Sequence, residues 1–286
     1  MSLSSIQLDA FLEVANSGSF SLAAKRLHVT QSALSQRILN LEEEIATRLF
    51  VRDPAGIRLT KAGEELLRFC ISRQRMEQDV VAKIETGKQN AMGVLKIAGF
   101  SSVIRSVILP VLSGYISNNP QVQMEVLSRE MRDLHTLLVR GDVDFIVTSL
   151  PVIRQDLESA LIGHESLVMA EAATGSIRQS VFFDHDADDQ TTVHFFNHQK
   201  SGFPEGFRRE YLGEIYAIID AVASGLGRAV LPRHLIKQRR ELKVVRGFQP
   251  QISPVYLQYF KQSFPSRIHD DVIRLICKES KKIFAD

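Results

Sequence analysis

The spacing of apolar residues predicts three short helices at the start of the chain. The first spans residues 6–16, and the second is capped by Ser19. The third follows a connection at Val29-Thr30, where the Thr30 hydroxyl suits a helix N-cap. The third helix has one apolar stripe, formed at steps of three and four residues by Leu34, Ile38, Leu41 and Ile45. Such a stripe buries one side of a helix and leaves the other side to solvent.

The N-terminal half of the third helix is polar, and most of its polar positions lie off the stripe: Gln31, Ser32, Ser35, Gln36 and Arg37. Glutamine can hydrogen-bond adenine edges, serine can donate or accept, and arginine suits guanine or phosphate. Two short helices joined by a tight turn, with a polar start to the second, are typical of a helix-turn-helix that enters the major groove. A plain helical core with a solvated face is the alternative, because periodicity alone does not separate the two.

Two short strands are predicted next, at 49–52 and 57–59, around a turn at 53–56. A hairpin in this position indicates a wing, with Arg52 and Arg58 near phosphates or the minor groove. A solvated surface hairpin is the alternative. We therefore expect a DNA interface in which bases are contacted by Gln31, Ser32, Ser35 and Gln36, and the backbone by Arg37, Arg52, Arg58 and Lys61, with Thr30 at the start of the helix.

A long helix capped by Thr60 is predicted to run to about Gln89, before Gly93. Thirty residues of helix extend ~45 Å, which is too long for one small domain. Its apolar positions follow steps of three and four residues for much of its length: Leu66, Phe69, Met76, Val80 and Ile84. The pattern favours pairing with the same helix of a second copy, and a long core helix within one chain is the alternative.

From Gly93 onward strands and helices alternate, which predicts a parallel sheet with helices on its faces. The first part has strands at 94–98, 122–127 and 144–148, and helices at 103–116 and 133–140. The second part has strands at 160–171, 181–184, 193–197, 228–231 and 255–261, and helices at 215–224 and 268–284. Ligands of such sheets bind beyond the carboxyl ends of the strands.

Two of those strand ends carry hydroxyl side chains that form a candidate effector site: Ser101, Ser102, Thr148 and Ser149. Ser101 and Ser102 also begin a helix, whose free N–H groups favour an anion such as a small carboxylate. Simple N-capping by the serines is the alternative.

The stretch AFLEVANSGSFSLAAKRLHVTQSALSQRILNLEEEIATRLFVR, followed by LTKAG, resembles the LysR-type transcriptional regulators. The resemblance is concentrated in residues 6–65, and the length and domain order of the chain also agree with those of the family. Two positions depart from the family pattern: Ser32 stands where Pro is frequent, and Ala55 stands where a wing Arg is common. The second departure leaves Arg52 and Arg58 as the charges of the wing.

The resemblance implies an α/β protein with an N-terminal winged helix-turn-helix, a long linker helix and a C-terminal effector domain of periplasmic-binding-protein type with two subdomains. We place these parts at 1–62, 63–92 and 93–286, with subdomain I at 93–160 plus 267–286 and subdomain II at 161–266. The inducer of such proteins lies between the subdomains. Two crossings of the chain between them form a hinge that can close on a ligand.

The amino-acid composition excludes few classes of binding partner. The net charge is +2, and residues 1–62 hold seven Lys or Arg and six Asp or Glu, so the total charge argues neither for nor against DNA binding. Only the positions of the charges within the head can indicate a DNA-binding face. Three of the acids, Glu42 to Glu44, are expected on an acidic face at the far end of the third helix. Cys70 and Cys277 fit buried thiols in a reducing cytoplasm, and no export signal or membrane span is expected.

Other sequence features do not indicate cofactor, metal or catalytic chemistry. Gly225-Leu226-Gly227 is too short for a nucleotide fingerprint, and the acidic segment 184–189 lacks EF-hand spacing. His194 and His198 are placed on a strand, where they make no convincing metal pair. Lys237 to Arg240 is expected to be an exposed charged turn, and no catalytic triad spacing occurs.

The sequence therefore predicts a cytoplasmic, sequence-specific DNA-binding regulator without enzymatic activity or cofactor, controlled by a small anionic effector. Its expected partners are double-stranded promoter DNA, the effector, a second copy in a homodimer or homotetramer, and RNA polymerase, with no membrane. An enzyme or solute-binding protein with the head as an oligomerisation module is one alternative. An architectural DNA binder that ignores small molecules is another.

Overall fold

The N-terminal part of the chain is a three-helix head: α1 (Ser5–Ser17), α2 (Phe20–Arg26) and α3 (Gln31–Glu44). The computed structural model describes residues 3–53, 56–86, 91–237, 239–262 and 265–285. Two predicted caps are confirmed, because the Ser19 hydroxyl accepts the Leu22 N–H and the Thr30 hydroxyl accepts the Ala33 N–H. The turn between α2 and α3 begins earlier than predicted and contains His28 at φ 54°.

A core of apolar side chains holds the head together. It is built from α1, α2, α3 and the start of the hairpin, with Phe11, Leu34, Leu41 and Leu49 fully buried. The hairpin pairs β1 (Phe50–Asp53) with β2 (Gly56–Leu59) in antiparallel register. Pro54 and Ala55, which the sequence places in its turn, lie outside the described residues.

The long helix α4 spans Lys61–Thr86, and its predicted end near Gln89 lies outside the described residues. Thr60 caps it, since its hydroxyl accepts the Gly63 N–H at 3.0 Å and donates to the Arg48 carbonyl at 2.7 Å. The first turns of α4 belong to the head, because Leu67 and Cys70 are buried in the same core. Phe69, in the same turns, is exposed, and the later turns present the exposed apolar side chains of Val80, Val81 and Ile84.

The sheet of the C-terminal part is mixed rather than wholly parallel. Strands β3 (Gly93–Gly99), β4 (Val122–Ser128) and β5 (Phe145–Thr148) are parallel, with β3 in the middle. Two long strands, β6 (Leu157–Ala172) and β11 (Gln251–Phe260), run antiparallel to each other, and β11 pairs with β5. In the described part of the chain the sheet has the strand order Leu242–Val244, β6, β11, β5, β3, β4, and the short strand Ala229–Pro232 also pairs with β6.

The helix after β3 is continuous but irregular. It begins as α5 (Ser101–Val103), passes through a π-helical turn (Ile104–Ile108) and continues as α6 (Leu109–Asn118). Helix α7 (Met131–Val139) follows β4, and α11 (Arg267–Ala285) returns from the end of the chain to pack on β6 and α6. We refer to the parallel strands with α5, α6, α7 and α11 as subdomain I.

Subdomain II, as we define it, contains the C-terminal part of β6 and further short elements of strand and helix. In chain order these are β7 (Val181–Asp184), α8 (Thr191–Asn197), β8 (Arg208–Tyr211), α9 (Ile215–Ala223), β9 (Ala229–Pro232), α10 (Arg233–Ile236) and β10 (Leu242–Val244). The chain therefore crosses between the subdomains along β6 and back along β11.

Residues 193–197, predicted as a strand, form helix α8 instead. Phe195 and Phe196 are both buried, although adjacent side chains of a strand point to opposite faces. The buried Asp184 carboxylate accepts the Thr192 N–H and hydroxyl, which fixes the start of this helix. The strands β8 and β10 were not predicted, because β8 has the charged sequence RREY and β10 is only three residues long.

No helix in these described ranges is both long enough and apolar enough to span a lipid bilayer.

Gly63 is required where α4 passes the hairpin. A Cβ atom at this position would lie 2.2 Å from the Leu49 carbonyl oxygen. We expect Gly63→Ala to lower the free energy of unfolding of the head by ~1–3 kcal/mol through overpacking. Thermal denaturation followed by circular dichroism measures this loss.

Gly114→Ala is the matched control, because Gly114 lies in α6 and a Cβ atom there would have no neighbouring atom within 4 Å among the described residues. This variant should be neutral or more stable by up to ~1 kcal/mol, since alanine is the better helix former. Equal destabilisation by both variants would show that the contact with Leu49 is unimportant.

Candidate nucleic-acid interface and ligand cleft

The outer face of α3 is polar and accessible over its first half. Gln31, Ser32 and Gln36 are exposed, whereas Ser35 and Arg37 are half-buried. On the opposite face Leu34 and Leu41 are fully buried in the core of the head. The helix is therefore held from one side only, and its amide and hydroxyl groups face solvent.

Hydrogen bonds pre-orient the side chains on this face. Gln31 accepts a bond from the Ser21 hydroxyl at 3.1 Å, which connects α3 to α2. Gln36 donates to the Asn40 side chain at 2.7 Å, one helical turn further on. Asn40 was not among the predicted contacts, although its i+4 spacing from Gln36 places it on the same face. Amides of this kind present both a donor and an acceptor to base edges.

The predicted backbone contacts lie on the hairpin and at the start of α4. Arg58 on β2 and Lys61 on α4 are exposed. Arg52 belongs to β1, but its side chain lies outside the described atoms. Thr30 is exposed at the N-cap of α3, where its hydroxyl also lies 3.1 Å from that of Ser32.

Glu42 does not belong to an exposed acidic face, contrary to the expectation from the sequence. Its side chain is buried and accepts the Leu49 N–H at 2.7 Å and the Phe50 N–H at 3.3 Å. Arg48 pairs with its other oxygen at 2.6 Å. This carboxylate joins the end of α3 to the start of the hairpin, so it fixes the wing relative to the helix. Glu43 and Glu44 remain exposed.

The carboxyl ends of three parallel strands meet at one edge of subdomain I. Gly99 of β3 is opposite Val147 of β5 and Ser128 of β4. This register brings the predicted effector residues of the first loop, Ser101 and Ser102, to the same edge as Thr148 and Ser149. The third strand end adds Ser128 and Arg129, neither of which was among the predicted effector residues.

The four predicted hydroxyls have different surroundings. Ser101 is half-buried at the start of α5, after the N-cap residue Phe100. Thr148 is buried and accepts the Leu150 N–H at 3.1 Å, and the hydroxyl of Ser149 lies 3.0 Å from the Met131 sulfur. Arg129 is exposed, and its backbone N–H is bonded to the Gly99 carbonyl, which holds the loop against the end of β3.

Ser102 faces a buried acid that sequence reasoning did not identify. Its hydroxyl lies 3.5 Å from Oε1 of Glu165 on β6, and Nε2 of His234 on α10 lies 3.7 Å from the same oxygen. Burial raises the pKa of Glu165 to about 8, against the weaker effect of the Ser102 hydrogen bond, and burial lowers the pKa of His234 to about 4. Only the tertiary structure shows that these residues meet.

A second contact joins the two subdomains nearby. The Arg105 guanidinium, in the π-helical turn of subdomain I, lies 4.2 Å from the ring centre of Tyr216 on α9. A separate cavity of about 330 Å³ lies between α4 and subdomain I, lined in part by Arg68, Phe69 and Phe260. The strand ends, Glu165 and the Arg105–Tyr216 contact define what we call the cleft.

The sequence features that indicated no cofactor or metal chemistry have local roles in the structure. His194 lies on α8, not on a strand, and its carbonyl is 2.7 Å from Nδ1 of His198. In the segment 184–189, Asp189 is hydrogen-bonded to His185 and to the Thr191 N–H. Within the described ranges, no three His, Cys, Asp or Glu side chains converge on a metal position.

Comparison with known proteins agrees with this architecture. Residues 6–64 match the family described as bacterial regulatory helix-turn-helix protein of the LysR family, and residues 88–179 match the LysR substrate binding domain. The transcriptional regulator PgrR of Escherichia coli is 26% identical over 271 residues, which are 88% of this chain and 90% of that protein.

Solved structures with the same fold include ArgP from Mycobacterium tuberculosis, with a TM-score of 0.78 at 20% identity and coverage of 98% of each chain. Full-length LysG from Corynebacterium glutamicum with bound effector Arg has a TM-score of 0.75 at 21% identity, covering 97% of this chain and 98% of that one. The head with its accessible helix and hairpin, the two-subdomain α/β part and both family matches lead to one assignment: this chain belongs to the LysR family of helix-turn-helix transcriptional regulators.

Proposed function

We propose that α3 contacts bases in the major groove through Gln31, Ser32, Ser35 and Gln36, while Arg37, Arg52, Arg58 and Lys61 contact the backbone. The observation that carries the proposal is the one-sided burial of α3, which leaves its amide side chains accessible beside a hairpin that Glu42 fixes in place. Helices of this kind place their N-terminal residues against base edges. Thr30, at the N-cap, is close to the same surface.

We propose further that the chain acts on DNA as a homodimer or homotetramer in the cytoplasm. The exposed apolar side chains of α4, including Val80 at 53% and Ile84 at 77% exposure, support pairing with a second copy. Two heads would then bind half-sites about one helical turn, ~34 Å, apart or multiples of it. RNA polymerase is the further partner that promoter binding implies, and none of these roles requires catalysis.

The effector in this proposal is a small anion bound in the cleft. Free N–H groups at the start of the helix from Ser101, the hydroxyls of Ser101 and Ser149, and the Arg129 guanidinium are the groups that favour a carboxylate there. LysG, which shares the fold, binds Arg as its effector. Closure of the subdomains on the effector would bias the arrangement of the two heads.

An electrophoretic mobility shift with the promoter region beside its own gene tests the DNA-binding proposal. Retardation that survives excess non-specific DNA is the expected result. Binding that non-specific DNA abolishes would favour an architectural protein, and no retardation would favour an enzyme or solute-binding protein that uses the head for assembly.

Gln36→Ala should remove discrimination at one base position, because a bidentate amide contact to adenine contributes ~1–3 kcal/mol. Binding to a set of single-base operator variants measures the effect. Gln123→Ala, at an exposed position on β4, is the matched control and should leave the preference unchanged. An unaltered base preference in the Gln36 variant would remove this residue from the interface.

Arg58→Ala should weaken binding to all sequences alike and reduce the slope of log Kd against log salt by about one, since one phosphate contact is lost. Titrations at four salt concentrations measure the slope. Arg274→Ala, exposed on α11, should leave it unchanged. If the slopes of the Arg58 variant and the wild type agree, the hairpin is not a wing.

A thermal-shift screen with amino acids and aromatic acids should identify carboxylates that stabilise the protein by ~2.7 kcal/mol at 100 times their Kd. Arg129→Ala should abolish most of the shift for those compounds, whereas Arg132→Ala, exposed on α7, should preserve it. Stabilisation by the matching amides, or an undiminished shift in the Arg129 variant, would contradict an anion site at this edge.

A further inference from the structure

Three side chains from three different elements meet at the junction of the two subdomains. Glu165 comes from the crossing strand β6, Ser102 from the first helix of subdomain I, and His234 from α10 of subdomain II. Glu165 is 6% exposed, Ser102 is 4% exposed and the His234 side chain is 13% exposed, so little of the group is accessible to solvent. Separation of the subdomains would therefore part Ser102 from His234 and admit water to Glu165.

The local strand geometry supports bending at this point. The pairing of β6 with β11 shifts register between Val255 and Tyr256, where Val255 is opposite Gly163 and Tyr256 is opposite Leu161. A bulge of this kind bends the strand that carries the extra residue. Glu165 lies two residues beyond Gly163, so it is next to the position where the crossing strand changes direction.

The surroundings of Glu165 and His234 favour one bound proton on this pair. Among the described residues, no Lys or Arg lies within ion-pair distance of Glu165, and Nε2 of His234, 3.7 Å away, is buried without a hydrogen-bond partner there. A neutral carboxyl group has an O–H that can donate to an imidazole nitrogen, whereas an ionised carboxylate cannot. One proton on Glu165 therefore removes the buried charge, and its O–H could donate to His234 Nε2 once the 3.7 Å separation of the two atoms shortens to hydrogen-bond distance.

We propose that Glu165 and His234 form a proton-dependent latch that holds the two subdomains together. With the proton bound, the pair stays buried and the cleft is closed. Without it, a buried carboxylate would lie uncompensated beside a neutral imidazole, and opening lets water solvate the charge. The latch depends on the hinge between the subdomains but not on DNA binding by the head.

Other charged groups around the cluster do not replace the proton. Arg105, one turn from Ser102, is stacked on Tyr216, and Arg233 beside His234 is exposed. On α11, the residue that contacts His234 is Phe284, whose ring centre is 6.0 Å away. His185 of subdomain II also titrates, because Asp189 raises its pKa and Glu130 of subdomain I adds to this effect. His185 therefore needs its own control.

The effect of pH on opening of the subdomains follows from the pKa shifts of Glu165 and His234. The pKa of Glu165 rises from 4.5 to about 8 on closure, so higher pH favours opening between these values. The pKa of His234 falls from 6.5 to about 4, so higher pH favours closure below 6.5. The two effects oppose each other up to about pH 6.5. Between pH 6.5 and 8 the effect of Glu165 dominates, and the ratio of open to closed should rise roughly 10-fold.

The test measures the distance between the subdomains in the full chain. Spin labels at Ser113→Cys on α6 and Glu205→Cys in subdomain II, both exposed positions, report it by pulsed electron spin resonance in a Cys277→Ser background. In the wild-type background, the distance between the two spin labels should shift from one short value at pH 6.5 toward a longer value at pH 8. Glu165→Gln, which is neutral at every pH, should keep the short distance at both.

Two variants serve as controls. Glu158→Gln, an exposed carboxyl on the same strand, and His185→Asn should both keep most of the wild-type pH response. Distances that do not change with pH in the wild type, or a Glu165→Gln protein that still responds fully, would overturn the latch. So would loss of the response in either control.

A measurement on the unmodified protein covers the case in which the Gln variant does not fold. Titration of 13C-labelled glutamate carboxyl groups by NMR should show one group that ionises near pH 8, and all groups ionising near 4.5 would overturn the latch. Mobility shifts at pH 6.5 separate this proposal from the DNA-binding proposal. If the wild type fails to bind operator DNA while the distances respond as expected, only the DNA-binding proposal fails.

Discussion

The head depends on one constraint, which is that α3 must be anchored through a single face. Leu34, Ile38 and Leu41 bury that face against α1 and α2, and burial of such side chains contributes ~1.5–3 kcal/mol each. The opposite face then needs no contact within the protein. Glu42 extends the anchoring to the hairpin, because one buried carboxylate receives two backbone N–H groups from the chain that enters β1.

Local signals in the sequence were sufficient for most of the head. Ser19, Thr30 and Thr60 cap the helices they were expected to cap, since N-capping depends on residues three positions apart. The burial of Glu42 could not be predicted, because it results from a contact with residues seven and eight positions later. The same limit explains α8, where a short apolar run is compatible with either a strand or a helix until its neighbours are known.

The cleft was predictable only in outline. Alternation of strands and helices located its edge, and the register of β3 with β4 and β5 brings the expected loops together. Glu165 and His234 lie 69 positions apart in the chain and nothing in their sequence context indicates a pair. Their shifted pKa values arise from burial, which is a property of the folded chain and not of any motif.

Helix α4 belongs to two parts of the molecule at once. Leu67 and Cys70 complete the core of the head, while Arg68, between them, lies 3.3 Å from Asp156 and 4.4 Å from the ring centre of Phe260, at the outer ends of the two crossing strands. An isolated head cut at the end of the hairpin would therefore lack part of its own core. A minimal fragment for structural work on operator complexes has to extend past Cys70. It then exposes an Arg68 that keeps its ion pair with Glu65 but lacks its contacts with Asp156 and Phe260.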